Sequence, residues 1–494
     1  MNKRLFLVLC ILGALLIRPE SLLGYSFYSR TDPYPVFTAA NPWGSFTAFQ
    51  DCEQAYRVRF SGSVFRQNAC RAGDYNDELY YGVQPTQASK VGPSDVQIGD
   101  MYGPWNILGL FYAERHGSTK TSAVAPPNDI QTPNKSIQDL LSGVTGLALT
   151  EDELKPVNYD GKGTMSVPIE YRKYGGRFEF DFCTCYDVGA SVAVSIAQAQ
   201  QCPWTFVPNA TGSDNVKALM KTTNLHKIAH ALGLSLNHFC KSEVESAVLG
   251  LYWRHCFEPC APSECMRQED PYRPTFAFTP FIKAEIAPFG GSQKSADMLF
   301  GLPFGNGGHL GYGMLCGFTA NFFETVLIGC DAGMTAFSSE HYANWPVPTN
   351  TLQAGMFPRR ADLDIRPGNN WCFGLGFWAP CFVDNFSASV EFRYVHHCTD
   401  SIDITRALSL SVPTAGAYQN VPTVTTILAD NFPPSNIALG KMINESCWST
   451  CMVNAGLTYD ISRNLELGLF WQAPVRQRYT YRSTTVLGSV VFSF

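Results

Sequence analysis

The chain has 494 residues, of which 16% are charged and 13% aromatic, and its formal net charge is −6. A typical soluble domain carries about 25% charged residues, and a protein that binds nucleic acid would need a basic surface. The composition therefore argues against a nucleic-acid partner. It agrees with an exported chain rich in strands, and large β-barrels reach this length as one domain.

The first segment has the layout of a secretory signal. Lys3 and Arg4 precede an uncharged apolar run over 5–17, and a stretch ending at Gly24 follows it. This order predicts a signal peptide over 1–24. A membrane anchor is the alternative, but the apolar run is shorter than the ~20 residues that a spanning helix needs.

Several later segments alternate between large apolar residues and small or charged ones. The clearest alternation lies at 56–60, 178–182, 188–196, 386–394 and 465–471. A period of two indicates strands with one apolar face, and a polar parity that mixes Gly, Ser and Ala with Arg and Glu is expected for a watery lumen. The pattern predicts lipid-facing strands. A soluble β-sandwich, whose inward face must pack densely, is the alternative.

The fold predicted from this pattern is all-β: a transmembrane antiparallel β-barrel of about fourteen strands, with a range of twelve to sixteen. A periplasmic segment at 25–55 would precede a barrel at 56–494. The predicted strands lie near 56–66, 103–114, 164–173, 175–183, 188–199, 246–257, 274–288, 309–319, 324–337, 370–379, 386–398, 447–459, 465–479 and 485–494. If 164–183 is instead one bulged strand, another strand is expected within 36–49.

Connection lengths predict which end of the barrel faces which side. Barrels of this class have short periplasmic turns and long outer loops. The predicted turns are 183–187, 319–324, 379–385 and 460–464, with a cysteine-stapled turn at 257–273 on the same side. The predicted outer loops are 200–245, 289–308, 338–370 and 399–445.

Two loop segments are predicted to contain helices. Thr150 and Glu153 have the spacing of a capping box, and Ser136 could cap a helix at 137–141. Leu225, Ile228, Ala229, Leu232 and Leu236 repeat at helical spacing. A helical loop at 225–236 would either fold into the pore or cap it from outside.

Cysteines and histidines are the other candidates for chemistry. Removal of Cys10 with the signal peptide would leave an even number of the 17 cysteines, and in an exported chain disulfides are the expected state. Two groups could alternatively bind a metal. One is the cluster of His255 with Cys256, Cys260 and Cys265, and the other is the pair His226 and His230 at helical spacing. The disulfide candidates are Cys52, Cys183, Cys185, Cys256, Cys260, Cys265, Cys381, Cys447 and Cys451.

Catalytic motifs are missing from the sequence. It has no nucleophile elbow, no phosphate-binding glycine loop ahead of a helix, and no third ligand in sequence for His226 and His230. We therefore expect no enzymatic activity, no cofactor and no metal. A secreted soluble enzyme is the alternative that the His and Cys clusters would favour.

Arginines are the candidate pore-lining residues. In a closed barrel the first and last strands are neighbours, so these cations would lie close together and would favour anions mildly. The alternative is that they pair with Glu179, Glu391 and Glu466 and set only the pore width. The six predicted pore-lining residues are Arg57, Arg59, Arg393, Arg476, Arg478 and Arg482.

The alternating segment 486–494 carries Phe492 and Phe494 on its apolar parity. This segment resembles the C-terminal insertion signal of bacterial outer-membrane β-barrels. Asp51-Cys52, followed by the alternating 56–65 strand, resembles the opening of the cysteine-rich major outer membrane porins of chlamydiae. That resemblance implies a trimeric general porin, without catalytic residues, whose cysteines cross-link the envelope.

Together these patterns predict a protein of the outer membrane of a Gram-negative-type bacterium. It would act as a channel for passive diffusion of small hydrophilic solutes. The expected partners are outer-membrane lipid, small solutes, further copies of the chain and, through disulfides, other envelope proteins. A structural or adhesive envelope protein without an open channel is the alternative, since long loops and many cysteines would serve it equally well.

Overall fold

A computed structural model describes the barrel and much of its loops. The predicted signal peptide, the segment 25–55, Ser136 and four of the candidate cysteines (52, 185, 260 and 265) lie outside the described residues. The described ranges are 56–70, 105–106, 139, 142–150, 153, 164–166, 170–184, 187–203, 207–208, 213–257, 276–289, 291–302, 304–322, 325–348, 356–357, 359–383, 385–408, 437, 439–462, 464–478 and 482–494.

Strands dominate this part of the chain. In order, its elements are β1 (Tyr56–Cys70), β2 (Trp105–Asn106), β3 (Thr164–Ser166), β4 (Glu170–Thr184), β5 (Val188–Gln201), β6 (Val207–Pro208), α1 (Asp214–Leu219), α2 (Thr222–Ala231), β7 (Cys240–Arg254), β8 (Phe276–Phe289), β9 (Gly311–Phe322), β10 (Val326–Phe337), β11 (Glu340–Val347), β12 (Arg359–Arg366), β13 (Asn370–Val383), β14 (Phe386–His397), β15 (Ser401–Leu408), α3 (Leu439–Ser446), β16 (Trp448–Ser462), β17 (Leu465–Arg478) and β18 (Arg482–Ser493).

Twelve of these strands form a closed antiparallel barrel, in the order β1-β4-β5-β7-β8-β9-β10-β13-β14-β16-β17-β18 and back to β1. Each strand therefore pairs with the barrel strands that precede and follow it in the chain. The barrel closes where Arg59 pairs with Ser493, and the Phe494 backbone N–H donates to the Val58 carbonyl oxygen over 2.8 Å. Closure leaves no open edge, as a bilayer requires.

The structure has twelve barrel strands where about fourteen were predicted. Of the predicted 103–114 strand the structure describes only Trp105–Asn106, which belong to a small sheet with β3 and β6 and not to the barrel. The predicted pair 164–173 and 175–183 is wrong as a hairpin, because Glu170–Thr184 is one strand. Twelve is the lower end of the predicted range.

The glycines at the predicted hairpin serve close packing. A Cβ on Gly175 would lie 2.5 Å from the Ile196 carbonyl oxygen and 2.5 Å from ring carbon Cζ of Phe65. Neither Gly175 nor Gly176 has a positive φ. The pair therefore keeps an extended backbone beneath a neighbouring ring, and the chain does not turn there.

Outward-facing positions carry large apolar side chains, whereas inward ones carry the charges. On β14, Phe386 and Phe392 are exposed, while Glu391 and Arg393 between and beside them are buried. This distribution is the reverse of that in a soluble protein and is the one expected for strands in lipid. A soluble β-sandwich is therefore wrong. None of the helices in the described ranges is long and apolar enough to span a bilayer.

The two ends of the barrel differ in the length of their connections, as predicted. At the turn end the connections are 185–187, 255–275, 323–325, 384–385 and 463–464; at the loop end they are 71–169, 202–239, 290–310, 338–369, 398–447 and 479–481. The 255–275 connection lies at the turn end, as strand counting predicted. The short 479–481 connection is the exception at the loop end.

A small subdomain is built on the loop end. β11, β12 and β15 form a three-stranded antiparallel sheet. One of its faces packs with α3 in an apolar cluster that includes Trp345, Leu363, Ile402 and Met442. The apolar side chains that alternate along these short strands thus form a hydrophobic core like that of a soluble domain, outside the barrel wall.

The predicted capping box and the predicted helix near 225–236 are both confirmed within the described ranges. The Thr150 backbone N–H donates to Glu153 Oε2 over 2.9 Å, and the Glu153 N–H donates to Thr150 Oγ1 over 3.4 Å, which is the reciprocal pattern of a capping box. Leu225, Ile228 and Ala229 form the buried face of α2. Leu236 lies beyond the end of that helix.

Candidate functional site: the barrel lumen

The loop-end half of the lumen is filled by two chain segments that we call the plug, 213–239 and 291–304. Leu225, Ile228 and Phe300 are fully buried in one apolar cluster with inward residues of the wall. The helical loop therefore folds into the pore and does not cap it from outside. The wall residues in this cluster are Phe65, Tyr171, Ala197, Ala199, Val395, Trp448, Met452, Phe470 and Leu487.

The two plug segments bind each other and the subdomain. Ser235 and Met298 form a parallel bridge, with the Ser235 N–H donating to the Asp297 carbonyl oxygen over 2.6 Å. Arg360 of β12 donates to the Gly233 carbonyl oxygen at 2.9 Å and to Asp297 Oδ1 at 2.8 Å. A third bond, to the Asn344 carbonyl oxygen, joins the same guanidinium to β11.

Two charged pairs within the wall lie against the Phe304 ring of the plug. Lys173 of β4 forms an ion pair with Glu245 of β7, and Lys241 forms one with Glu243 at 2.7 Å. Both lysine ammonium groups lie within 6 Å of the centroid of the buried Phe304 ring. Because each cation has a carboxylate partner, the charges do not oppose docking of the aromatic ring.

A second contact anchors the start of α1. The amide of Asn215 donates to Glu153 Oε1 at 3.1 Å and to the Ala148 carbonyl oxygen at 3.2 Å. Hydrogen bonds from the Thr150 backbone N–H and from the Ser213 side chain lower the pKa of Glu153 below its usual range. The segment around Glu153 is thereby tied to the plug by hydrogen bonds that favour the ionised carboxylate.

Across eight adjacent strands, one level of the wall is polar; we call it the polar row. Its members are cross-strand partners in the register, and all of them face inward. They are Thr319, Gly329, Gly376, Glu391, Asn454, Gln472, Thr485 and Gln67. Hydroxyls, amides and glycines of this kind are typical of a lumen that holds water.

Beside the polar row lies a charge cluster. Arg393 donates from Nε to Glu391 Oε1 over 2.9 Å and with its two terminal nitrogens to Asp331 over 3.3 Å. It reaches Asp331 across β13 because Gly374 stands between them: a Cβ there would meet Asp331 Oδ1 at 2.1 Å. One guanidinium thus compensates two buried carboxylates, and the guanidinium is not free to bind an anion.

Charges of both signs also meet near the turn end. Arg59 is the cross-strand partner of Asp181, and Arg177 forms an ion pair with Glu179. Lys283 pairs with Glu285 at 2.6 Å and interacts electrostatically with Glu179 and Asp181. The sequence identified Arg59 and Glu179 but missed Lys283 and Asp331, which parity counted along β8 and β10 would have placed inward.

The predicted pore-lining arginines have different outcomes. Arg59 and Arg393 face the lumen and lie beside carboxylates. A β-bulge in β17 interrupts the predicted parity, so Arg476 pairs in the register with Cys451 and Arg478 with Ser449. Arg57 and Arg482 lie in β1 and β18, and the side chains of these two and of Arg476 and Arg478 are outside the described part. Their pore-lining role stays a prediction.

Disulfide formation stays a prediction as well. Cys183 has a buried free thiol, whose Sγ accepts a hydrogen bond from Arg254 at 3.4 Å. Cys256, Cys447 and Cys451 are partly buried, and the backbone of Cys381 belongs to β13. The sequence-based candidates did not include Cys316 and Cys330, which are exposed free thiols on the outward face of β9 and β10.

The histidine candidates are not brought together. His226 and His230 share α2, and both are exposed. His255 Nδ1 lies 2.7 Å from Asp187 Oδ2 at the turn end, far along the chain from α2. Within the described ranges no group of three or more His, Cys, Asp or Glu side chains is placed to hold a metal ion.

The predicted insertion-signal residues lie at the closing seam. Phe492 and Phe494 both have exposed side chains on the outward parity of the last strand, and Phe492 pairs with Phe60. Their position in the fold agrees with a lipid-facing role, and their function in insertion stays a prediction.

No protein-family model matches the chain, and no curated protein matches it significantly. Among solved structures it is similar to an outer membrane channel from Pseudomonas putida F1, with 7% identity and a TM-score of 0.36 over 88% of this chain and 95% of that one. The KdgM porin has 8% identity and a TM-score of 0.26 over 66% of this chain and 99% of that one. The Pseudomonas putida toluene transporter TodX has 9% identity and a TM-score of 0.27 over 97% of this chain and 99% of that one.

These three structures are bacterial outer-membrane channels or porins. At such identities and TM-scores the similarity identifies neither a family nor a function for this chain. None of the three is a chlamydial porin, so the resemblance to that group stays a prediction.

Proposed function

We propose that the chain is an outer-membrane channel for small hydrophilic solutes, and that the structure is its plugged state. The turn end would face the periplasm and the loop end the exterior, because barrels of this class place short turns inside and long loops outside. Nothing in the proposal requires catalysis.

The observation that supports a passage is the polar row. A dry, purely structural interior would be expected to carry apolar side chains, since buried polar groups cost free energy unless each is hydrogen-bonded. Here the amides Gln67, Asn454 and Gln472 share one level of the wall with hydroxyls and glycines. Such a lining supports water and solute contact at the level where the plug ends.

Gating follows from the plug. Its apolar core seals to seven wall strands, so free diffusion requires that the plug move. We therefore propose a channel that opens by displacement of 213–239 and is closed at rest. Selectivity by charge should be weak, since the described lumenal arginines lie beside carboxylates.

The test is conductance in planar bilayers of wild type and of a variant in which a short Gly-Ser turn replaces 203–238. β5 and β7 are hydrogen-bonded neighbours, with Gln200 opposite Cys240, so a tight turn can join them. We expect rare openings in wild type and steady conductance in the variant. Heat-modifiable migration on a gel, measured for both proteins, is the control for a folded barrel.

A structural or adhesive envelope protein is the second candidate, and the filled loop end favours it. If neither protein conducts although both migrate as folded barrels, the channel proposal fails and the structural role stands. Oligomerisation and disulfide links to other envelope proteins are open in both cases. A change of the oligomer pattern with thiol on a non-reducing gel would detect them.

A further inference from the structure

The outward face of β1, β4, β5 and β18 changes from apolar to polar toward the loop end. On the turn-end side of the change, Val64, Phe178 and Ile196 are 69%, 53% and 51% exposed, as expected of side chains in lipid. On the loop-end side the outward positions carry cations, amides and hydroxyls, and we call this surface the rim patch. Its members are Arg66, Asn68, Arg172, Tyr174, Gln198 and Thr484.

Two arginines form the charged centre of the rim patch. Arg66 lies opposite Tyr174 in the register, and Asn68 lies opposite Arg172. The two arginines are therefore diagonal neighbours on adjacent strands, about 7 Å apart where their side chains begin. Among the outward side chains that the structure describes on the barrel strands, they are the only arginines or lysines.

Neither guanidinium forms an ion pair with a carboxylate in the described part of the chain. Arg66 lies over the ring of Tyr174, with its guanidinium carbon 5.6 Å from the ring centroid. Glu170 shares the outward parity of Arg172 but interacts with the Cys202 thiol. Two cations at this separation repel each other unless an anion lies between them, so the rim patch favours an anionic group.

The position of the rim patch indicates that its occupant is amphipathic. Arg66 follows the exposed Val64 on the same face of β1, and on β4 only Gly176 separates Tyr174 from the exposed Phe178. A free anion would contact the guanidinium groups and leave this apolar surface uncovered. A lipid contacts both, because its acyl chains cover the apolar band while its headgroup lies at the polar edge of that band.

We propose that the rim patch binds the phosphate group of an anionic lipid. The guanidinium groups of Arg66 and Arg172 donate to the phosphate oxygens, since a planar fork of N–H donors matches phosphate geometry. Asn68 and Thr484, which are cross-strand partners and both exposed, supply further donors at the same level. With the loop end outside, the lipid belongs to the outer leaflet. This inference goes beyond the proposed channel and does not depend on it, because both arginines face away from the lumen.

The test is native mass spectrometry of the full-length folded barrel in detergent, titrated with dioleoyl phosphatidic acid or with dioleoyl phosphatidylcholine. The first lipid carries a phosphate monoester, whereas the second carries a fixed cation beside its phosphate. We expect wild type to bind phosphatidic acid at lower concentration than phosphatidylcholine. Arg66→Gln and Arg172→Gln should each weaken binding of phosphatidic acid about fivefold, and the double variant about 25-fold, as expected for arginines near an anionic lipid surface.

Arg406→Gln is the matched control. It removes the same charge from an exposed position on the small sheet of β11, β12 and β15, and it should bind phosphatidic acid as wild type does. Heat-modifiable migration of each variant checks that the barrel is folded. A measurement on wild type alone guards against a folding defect in the variants: raising the ammonium acetate concentration should weaken binding of phosphatidic acid, because salt screens exposed charges.

Three results would overturn the inference. Wild type would bind the two lipids equally, or the double variant would bind phosphatidic acid as wild type does. In the third, excess inorganic phosphate would displace phosphatidic acid completely, which would show a site for a free anion and not for a lipid.

Discussion

The two halves of the lumen are built on the same strands but carry different inward side chains. On β16 the inward residues change from Trp448 and Met452 at the loop end to Asn454, Thr458 and Asp460 toward the turn end. The outward residues stay apolar from Cys451 to Ile461. Contact with lipid therefore requires apolar side chains on the outer face. The polarity of the inner side chains depends on what they contact, which is the plug in one half and the polar lumen in the other.

The first and largest expected effect comes from placing a charge in the plug core. Ile228→Asp buries a carboxylate without a partner, which should destabilise the plug by roughly 4 kcal/mol. We expect frequent channel openings and protease cleavage near α2, with barrel migration unchanged. His226→Asp is the matched control, since His226 is exposed on the same helix and should leave conductance as it was.

Plug destabilisation without any gain in conductance would show that the polar half is not a passage. The different inward side chains of the two halves would then reflect packing only, and not a path for solutes. Loss of the folded barrel itself would show that the halves are not independent.

The second prediction concerns the Arg360 contacts. Arg360→Met removes hydrogen bonds to both plug segments and to β11, and should cost the plug about 2–3 kcal/mol, since hydrogen bonds to charged groups contribute about 1.5–3 kcal/mol. Hydrogen exchange of α2 amides should rise. Asp297→Asn combined with Arg360→Met should cost less than the sum of the two single changes, because the two residues share a contact.

Arg406→Met serves as the control, because Arg406 is exposed on the same small sheet. If it loosens α2 as much as Arg360→Met does, the subdomain does not hold the plug through Arg360.

The third prediction concerns the polar half. Arg393→Met leaves Glu391 and Asp331 without their common cation, and should shift the reversal potential in a salt gradient toward cations. The variant without 203–238 is the suitable background, since we expect it to conduct steadily. Wild-type lumenal charge should give little selectivity. A clear anion preference that disappears in Arg57→Ala with Arg59→Ala would instead favour unpaired arginines.

The smallest effect is expected from pH. Because hydrogen bonds lower the pKa of Glu153, its contribution to anchoring α1 is present above the ordinary carboxyl range and is lost as pH falls through the lowered pKa. Hydrogen exchange near α1 should rise on acidification. Glu153→Gln should show the weaker anchoring already at neutral pH and should lose this pH dependence; persistence of the same dependence in the variant would assign it to another group.

Alternation along the chain predicted the barrel and the sign of each face. It did not predict the number of strands, because a Gly-Gly pair is typical of a turn. Gly175 and Gly176 instead stay in one extended strand beneath the ring of Phe65. The packing of the plug against the wall was missed for a different reason. Leu487 and Val491 break the alternation of the last strand, and both are buried on its inward side. Leu487 belongs to the same apolar cluster as the plug. The break in the alternation therefore marked an inward position that packs with apolar groups, but the spacing could not show what lies there.

The polar row could not be predicted from the sequence, because its members come from strands distant along the chain and meet only through register. Gln67, Glu391 and Gln472 look like three unrelated strand residues until the cross-strand partners are known. The capping box at Thr150 and the helical face of α2 were predictable, since both are local patterns.

Closure of the barrel determines the order of folding. The contact between Gln67 and Thr485 joins residues 418 positions apart, and pairing over such a separation is slow because the loop-closure entropy must be overcome first. Until β1 and β18 meet, each leaves one edge open to aggregation. Phe65 and Leu487, one from each of these strands, both belong to the plug core. The plug can therefore complete its packing only after the wall has closed, so we expect it to assemble after the barrel strands.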